Sequence, residues 1–178
     1  MKRTPVWIAW AVCVVIGVPA AAFAQGEPRA SLAAGYVYLF QRTAGDLGTP
    51  TYPAGWIGTG TLRLGSSRWS AVGEFGISYD PSVPDEQRQL MGTFGGARVA
   101  VWSNKRLTLF AQFLAGLERF SEPGLTESSP AVQPGGGFDI HLSSRVFLRA
   151  QGDYRWSQPH DATFHTFRVV GGIGIRIH

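Results

Sequence analysis

Eight stretches of the chain alternate apolar side chains with polar or small ones, and this pattern constrains the fold more than any other feature. A period of two is the signature of a β-strand whose two faces meet different surroundings. No apolar run after residue 24 is long enough for a membrane-spanning helix, which needs about 20 residues. The chain also holds 23 glycines and 12% aromatic residues, a composition that favours strands and tight turns. The predicted strands cover residues 31–41, 56–64, 69–79, 89–102, 107–120, 132–142, 146–156 and 165–177.

The connections between these strands alternate in length. Short connections lie at residues 65–68, 103–106 and 143–145, and each carries Ser or Asn, which favour turns by bonding the neighbouring backbone. Longer connections lie at residues 42–55, 80–88, 121–131 and 157–164. In an up-and-down barrel successive connections lie at opposite ends, so short turns share one end and long loops the other. The sequence therefore predicts an all-β, eight-stranded antiparallel up-and-down barrel of the transmembrane type.

The N-terminus carries the pattern of a secretory signal peptide. Lys2 and Arg3 precede an apolar segment from Val6 to Val18, and Ala22-Phe23-Ala24 fits an A-x-A cleavage site. An uncleaved anchor is the alternative, but the apolar segment is shorter than a spanning helix requires. We therefore predict a signal peptide at residues 1–24 and one barrel domain at residues 25–178.

The charge of the chain gives little support to nucleic-acid binding. The 16 basic and 12 acidic residues give a formal net charge of +4, and no run of like charges occurs. Removal of Lys2 and Arg3 with the signal peptide would bring the mature chain closer to neutrality.

Charged residues collect on one face of many predicted strands. In residues 146–156, for example, Arg149, Asp153 and Arg155 oppose a face of apolar and small side chains. A soluble barrel such as a lipocalin would turn the charged face to water, whereas a membrane barrel would turn it to the lumen. Lone buried charges are costly, so the membrane alternative predicts a ladder of Arg–carboxylate pairs with Asp139, Arg149 and Asp153 at its centre. The predicted charge ladder comprises Glu74, Arg98, Glu118, Asp139, Arg149, Asp153, Arg155, Arg168 and Arg176.

The charge ladder has three interpretations: a structural plug, a narrow path for small polar solutes, or a catalytic carboxylate pair. We expect the plug, because eight strands leave an interior only wide enough for side chains.

Aromatic residues near the strand ends favour the membrane alternative. Rings at both ends of lipid-facing strands form girdles at the two membrane interfaces, although ordinary core packing also uses aromatic rings. The predicted girdle comprises Trp56, Trp69, Tyr79, Phe120, Tyr154 and Trp156.

The sequence contains no motif that predicts an enzyme, a cofactor site or a metal site. Ser157, Asp161 and His165 lie in or beside one long connection, where a Ser–His pair with an acidic partner would suit a lipid-modifying enzyme. Loops commonly contain these residue types, and no metal-ligand spacing, phosphate loop or nucleophile elbow is present. We therefore predict no catalytic, cofactor-binding or metal-binding residues.

The last three strands resemble the OmpA-like/OmpX-like superfamily of small outer-membrane barrels. The similarity is carried by PGGGFDIHL (134–142), SSR (143–145), LRAQGDYR (148–155) and the closing GGIGIRI (171–177). This resemblance implies an eight-stranded barrel inserted by the barrel-assembly machinery. It implies little about activity, because members serve as adhesins, anchors and narrow pores. The chain departs from the family at its end, where His178 stands in place of the usual aromatic residue.

The sequence thus predicts a bacterial outer-membrane protein with a non-enzymatic structural, surface-interaction or minor pore role. The alternative is a secreted, lipocalin-like soluble barrel that binds an apolar ligand. The expected partners are outer-membrane lipid, the assembly machinery and an unknown surface ligand at the long loops, above all residues 42–55 and 121–131. We expect a monomer without cofactor or nucleic acid.

Overall fold

The computed structural model describes residues 29–43, 51–52, 54–80, 88–122, 125–158 and 164–177. The predicted signal peptide, Asp161 and His178 lie outside these residues. None of the described residues belongs to a helix long and apolar enough to cross a membrane. All regular structure in them is β-strand: β1 (Ala30–Thr43), β2 (Thr51–Tyr52), β3 (Ala54–Arg63), β4 (Trp69–Asp80), β5 (Arg88–Ser103), β6 (Leu107–Glu122), β7 (Leu125–His141), β8 (Val146–Ser157) and β9 (Phe164–Ile177).

The strands form a closed antiparallel barrel. Each pairs with its neighbour in the chain, and β1 pairs with β9 from Ala30↔Ile177 to Thr43↔Phe164. The short β2 and the long β3 both pair with β1, so together they occupy one position in the sheet and the barrel has eight strands around it. Closure leaves no free sheet edge along the paired length. The predicted all-β, eight-stranded antiparallel barrel is confirmed.

Side-chain hydrogen bonds fix the three short turns. The Ser67 hydroxyl donates to the Leu64 carbonyl (2.6 Å) and accepts from the Trp69 amide (3.2 Å). Asn104 Oδ1 accepts from the backbone amides of Arg106 (2.8 Å) and Leu107 (2.7 Å). Ser143 Oγ accepts in the same way from Arg145 and Val146. These Ser and Asn residues therefore hold the turns as the sequence predicts.

The prediction of a long connection at residues 121–131 is wrong. Strand β6 continues to Glu122 and β7 begins at Leu125, with Ser121 opposite Thr126. This hairpin extends beyond β8, whose last partner on β7 is Ala131. The segment 126–130 is polar on both faces, so it lacks the apolar alternation from which the other strands are predicted.

Pro130 is tolerated in β7 because it lies where β8 ends. Its carbonyl accepts a long bond from the Gln158 amide (3.4 Å), beyond the last residue of β8. A proline cannot donate to a neighbouring strand, so it fits at such an edge.

Alternation along the strands separates two surfaces. In β8 the side chains of Phe147, Arg149, Gln151, Asp153 and Arg155 are buried, while those between them are exposed or half-buried. The same rule holds in β4, β6 and β9, and it turns large apolar side chains outward. The interior is therefore polar and charged over much of its length.

Candidate functional site: the charged interior

The charges predicted to form the ladder lie on the inward face. Asp139 and Arg176 are half-buried, and the other seven members are buried. A buried charge without a partner is costly, so the geometry of their pairing is the main question.

Arg168 lies at the centre of the interior. Its guanidinium forms ion pairs with Glu74 (Nη1–Oε1, 2.7 Å) and Asp153 (Nη2–Oδ2, 2.6 Å), and its side chain is 2% exposed. These three residues come from β9, β4 and β8, and barrel closure brings β4 across from the other two. The cation therefore joins the paired strands β8 and β9 to β4, which pairs with neither of them.

Glutamine side chains extend this centre in both directions. Asp153 accepts hydrogen bonds from Gln112 Nε2 (3.0 Å) and Gln151 Nε2 (2.7 Å). Gln133 Nε2 donates to Glu74 (3.1 Å), and its Oε1 accepts from Arg155 (3.0 and 2.8 Å). An amide both donates and accepts, so it can relay between a carboxylate and a guanidinium.

The third ion pair of the interior joins Arg155 to Glu118, from Nη1 to Oε1. The Arg155 guanidinium also lies 4.3 Å from the centre of the Phe94 ring, where a cation is attracted to the ring face. We refer to the connected set as the central network; it comprises Glu74, Arg98, Gln112, Glu118, Gln133, Gln151, Asp153, Arg155 and Arg168.

The predicted centre of the charge ladder needs correction. Arg149 forms a bidentate pair with Asp139 (2.7 and 2.8 Å), its direct cross-strand neighbour in β7. Asp153 is bonded instead to Arg168 and two glutamines. The three residues therefore belong to two separate clusters, because pairing across the lumen depends on how the strands are staggered and closed.

Arg98 and Arg176 have no ion pair among the described residues. Arg98 donates to Gln112 Oε1 (3.1 and 2.6 Å) and lies 4.0 Å from the centre of the Phe110 ring. The Arg176 guanidinium lies 5.8 Å from the centre of the Phe147 ring. The structure thus brings seven of the nine predicted charges into ion pairs and leaves these two on aromatic rings.

A glycine makes room for the key carboxylate. Gly135 faces Asp153 across the β7–β8 pair, and a β-carbon at this position would collide with Asp153 Oδ1. The glycine-rich run of β7 therefore lets an acidic side chain of β8 lie flat against the neighbouring backbone.

Apolar side chains fill the interior at the long-loop end. Their cluster comprises Val37, Leu39, Tyr52, Ile57, Leu90 and Val170, with Phe120 packed against it. Below it, Gln133 is 0% and Asp153 1% exposed, so the side chains at the middle of the barrel are closely packed.

At the short-turn end, the described side chains leave an open space. A cavity of about 610 Å³ lies there, between the ends of the strands and the short turns. We call it the basic chamber, because its wall carries the seven basic side chains Arg29, Arg63, Arg68, Arg98, Lys105, Arg149 and Arg176.

Five of the six predicted girdle residues are exposed on the outward face: Trp56, Trp69, Tyr79, Tyr154 and Trp156. Phe120 is the exception, because it packs against the apolar cluster inside the barrel. Even-numbered residues of β6 point inward, as Phe110, Gln112 and Leu114 do, and Phe120 follows this alternation. Its position at a strand end suggested a girdle, but the period of two decides its direction.

Ser157 and His165 lie on opposite faces of the sheet. Ser157 is buried on the inward face, whereas His165 Nδ1 is hydrogen-bonded to the hydroxyl of the exposed Tyr154. No group of three or more His, Cys, Asp or Glu side chains able to hold a metal occurs within the described ranges.

Comparison with solved structures identifies the fold as that of small outer-membrane barrels of the OmpA/OmpX type. The chain is similar to Neisserial surface protein A (TM-score 0.72, 11% identity), with 86% of this chain and 100% of that chain covered. It is similar to the Yersinia pestis attachment invasion locus protein Ail (TM-score 0.57, 18% identity, 85% and 100% covered). It is also similar to the N-terminal barrel domain of Pseudomonas aeruginosa OprF (TM-score 0.58, 11% identity, 86% and 100% covered). No protein-family model and no curated protein sequence matches the chain.

Proposed function

We propose that this protein is a bacterial outer-membrane barrel with a closed interior, and that its role is structural or surface-interacting rather than enzymatic. The observation that carries the proposal is the exposed apolar face. Trp56 is 68%, Leu117 62% and Phe113 56% exposed, while the charges lie inside. Large apolar patches on a soluble protein would be a liability, whereas lipid requires them.

The alternative of a lipocalin-like soluble barrel requires the opposite arrangement. Such a barrel would hold an apolar ligand inside and turn its charges to water. Here Arg168, Asp153 and Glu74 occupy the middle of the interior, and they leave no apolar cavity there among the described residues. The inward charges and outward rings therefore favour lipid as the surrounding medium.

A minor pore is less favoured than a plug. The apolar cluster at the long-loop end and the buried central network together occupy the lumen. Conduction would require hydrated ions to displace buried side chains that are held by ion pairs and hydrogen bonds, which is costly. The proposed role is thus an anchor that presents its long-loop end at the cell surface.

An enzymatic role has little geometric support. The inward Ser157 and the outward His165 cannot form a nucleophile–base pair across the sheet without rearrangement. We propose further that the protein works as a monomer in outer-membrane lipid, is inserted by the barrel-assembly machinery and binds any surface ligand at its long loops.

Two measurements test the proposal. We expect the protein to stay in the membrane fraction after extraction with urea and to migrate on a gel as a folded band that shifts on heating. Recovery as a soluble protein would contradict the outer-membrane role. In planar bilayers we expect no stepwise conductance from the folded protein, and regular single-channel steps would show a pore instead of a plug.

A further inference from the structure

The basic chamber at the short-turn end has a mainly basic wall. Among the described residues on this wall, seven carry basic side chains and one, Asp139, carries an acidic side chain. Asp139 is already engaged in the bidentate pair with Arg149. A cavity lined by one sign of charge, with low-dielectric walls, concentrates counter-ions of the other sign.

Three kinds of structural element form the wall of this chamber: strand ends, short turns and a β-bulge. Strand ends contribute Arg63 and Arg176, and short turns contribute Arg68 and Lys105. Strand β5 also carries an irregularity between Ala100 and Trp102, where its register with β6 shifts by one residue. Ala100, Val101 and Trp102 all line the chamber, so the bulge shapes its wall. Bulges at barrel rims often redirect side chains at a site.

Buried polar atoms on the wall lack partners within the described part of the chain. Arg149 is 5% exposed, and its Nη1 has no hydrogen-bond partner although Nε and Nη2 are both bound to Asp139. Thr61 Oγ1 is also buried and unpaired, and Thr61 lines the same chamber. A buried donor without a partner is unfavourable, and an acceptor in the chamber would remove this cost.

The chemistry of these groups selects the ligand class. Guanidinium groups match the oxygens of phosphate and carboxylate in a two-pronged geometry. Several cations around one cavity favour a ligand with several negative charges, and a phosphomonoester group carries between one and two at neutral pH. The volume of about 610 Å³ lies within the range of small-molecule pockets, so it suits more than a single ion.

We propose that the basic chamber is a binding site for a multivalent phosphate-bearing ligand, either a soluble phosphate compound or the headgroup of an anionic phospholipid. Arg98, Arg149 and Arg176 donate to its oxygens, and the turn residues Arg68 and Lys105 attract it to the opening. The site is distinct from the long-loop end, and binding to it does not depend on the surface role proposed above.

The test uses the folded full chain in zwitterionic detergent micelles, titrated with tripolyphosphate by calorimetry at low and moderate salt. We expect binding that weakens with salt, with amide chemical-shift changes at Asn104 and Thr108 and none in the long-loop half of β1. A parallel titration with short-chain phosphatidic acid, against phosphatidylcholine, distinguishes the two sources. Binding of either phosphate compound supports the site, and binding of neither overturns it.

Substitutions of the basic side chains on the wall test whether the phosphate compound binds in the chamber. Arg98→Gln and Arg176→Gln should each weaken binding about tenfold, because each removes a charge-assisted hydrogen bond to the phosphate oxygens. Arg176 lies outside the central network, so its variant is expected to fold even if Arg98→Gln does not. The matched control is Arg119→Gln, which removes one exposed charge from β6 near the long-loop end. Equal affinity in the control and in Arg176→Gln would contradict the proposal.

Discussion

Single residues in the interior stabilise the barrel through the buried groups with which they form hydrogen bonds and ion pairs. Asp153 accepts from Arg168, Gln112 and Gln151, and it is 1% exposed. A carboxylate with this many donors at the middle of the barrel holds three strands in one arrangement. Removing it leaves buried donors without an acceptor, which costs more than the ion pair itself contributes.

Asp153→Ala should therefore destabilise the barrel. We expect a loss of about 3 kcal/mol or more in the free energy of unfolding, because two buried amides lose their acceptor and the Arg168 guanidinium loses one of its two carboxylate partners. The folded band on a gel should convert to the unfolded band at a lower temperature. Asp153→Asn, which keeps one acceptor oxygen, should lie between this variant and the parent. An unchanged conversion temperature for Asp153→Ala would contradict the central network.

The ends of each strand are set mainly by the turns and by the point at which the neighbouring strand ends. The three short turns use Ser and Asn side chains to hold backbone amides, and these residues are recognisable in the sequence. The β6–β7 hairpin differs, because its last residues extend past β8 and carry polar side chains on both faces. A strand without an apolar face has no signal in the pattern, and only its pairing defines it.

Asn104→Ala tests how much a short turn contributes. Asn104 Oδ1 is the acceptor for two backbone amides, so we expect a loss of about 1–2 kcal/mol in the free energy of unfolding. Urea unfolding in detergent measures the midpoint, which should fall. Asn104→Asp keeps the acceptor oxygens and serves as the control with little change. Identical midpoints for the Ala variant and the parent would show that the turn does not depend on this side chain.

At the scale of the molecule, the barrel is organised in three zones along its axis. Apolar side chains close the long-loop end, the central network fills the middle, and the basic chamber opens at the short-turn end. The outward face is apolar around the whole barrel. This arrangement inverts that of a soluble globular protein, so the surrounding medium is part of what stabilises it.

Phe113→Arg distinguishes a lipid-facing surface from a water-facing one. Phe113 is 56% exposed near the middle of β6, and an arginine at the bilayer midplane costs about 2–4 kcal/mol. We expect a lower yield of the folded, heat-modifiable band when the variant is refolded into phospholipid vesicles. Leu64→Arg, in a short turn at the barrel end, is the control and should fold like the parent. In a soluble barrel both substitutions would be tolerated equally, and equal yields would contradict membrane insertion.

The sequence by itself determines most of each strand, the short turns and the face on which most side chains lie. Each of these is local: a period of two fixes the face, and a Ser or Asn fixes a turn. The alternation along β6 also predicts that Phe120 points inward, although its position at the strand end suggests an outward, girdle position. The inward position of Gln133 follows from the same alternation, but no local signal connects it to Glu74, which lies 59 residues away.

Only the tertiary structure decides which inward charge meets which. Asp139 forms an ion pair with its direct cross-strand neighbour Arg149. Arg168 forms ion pairs both with Asp153 on the neighbouring strand and with Glu74 across the lumen. The stagger of the strands and the closure of β1 on β9 set these distances, and neither is a property of any single segment. The basic chamber arises in the same way, because cations from strands and turns far apart in the sequence meet only when the barrel is closed.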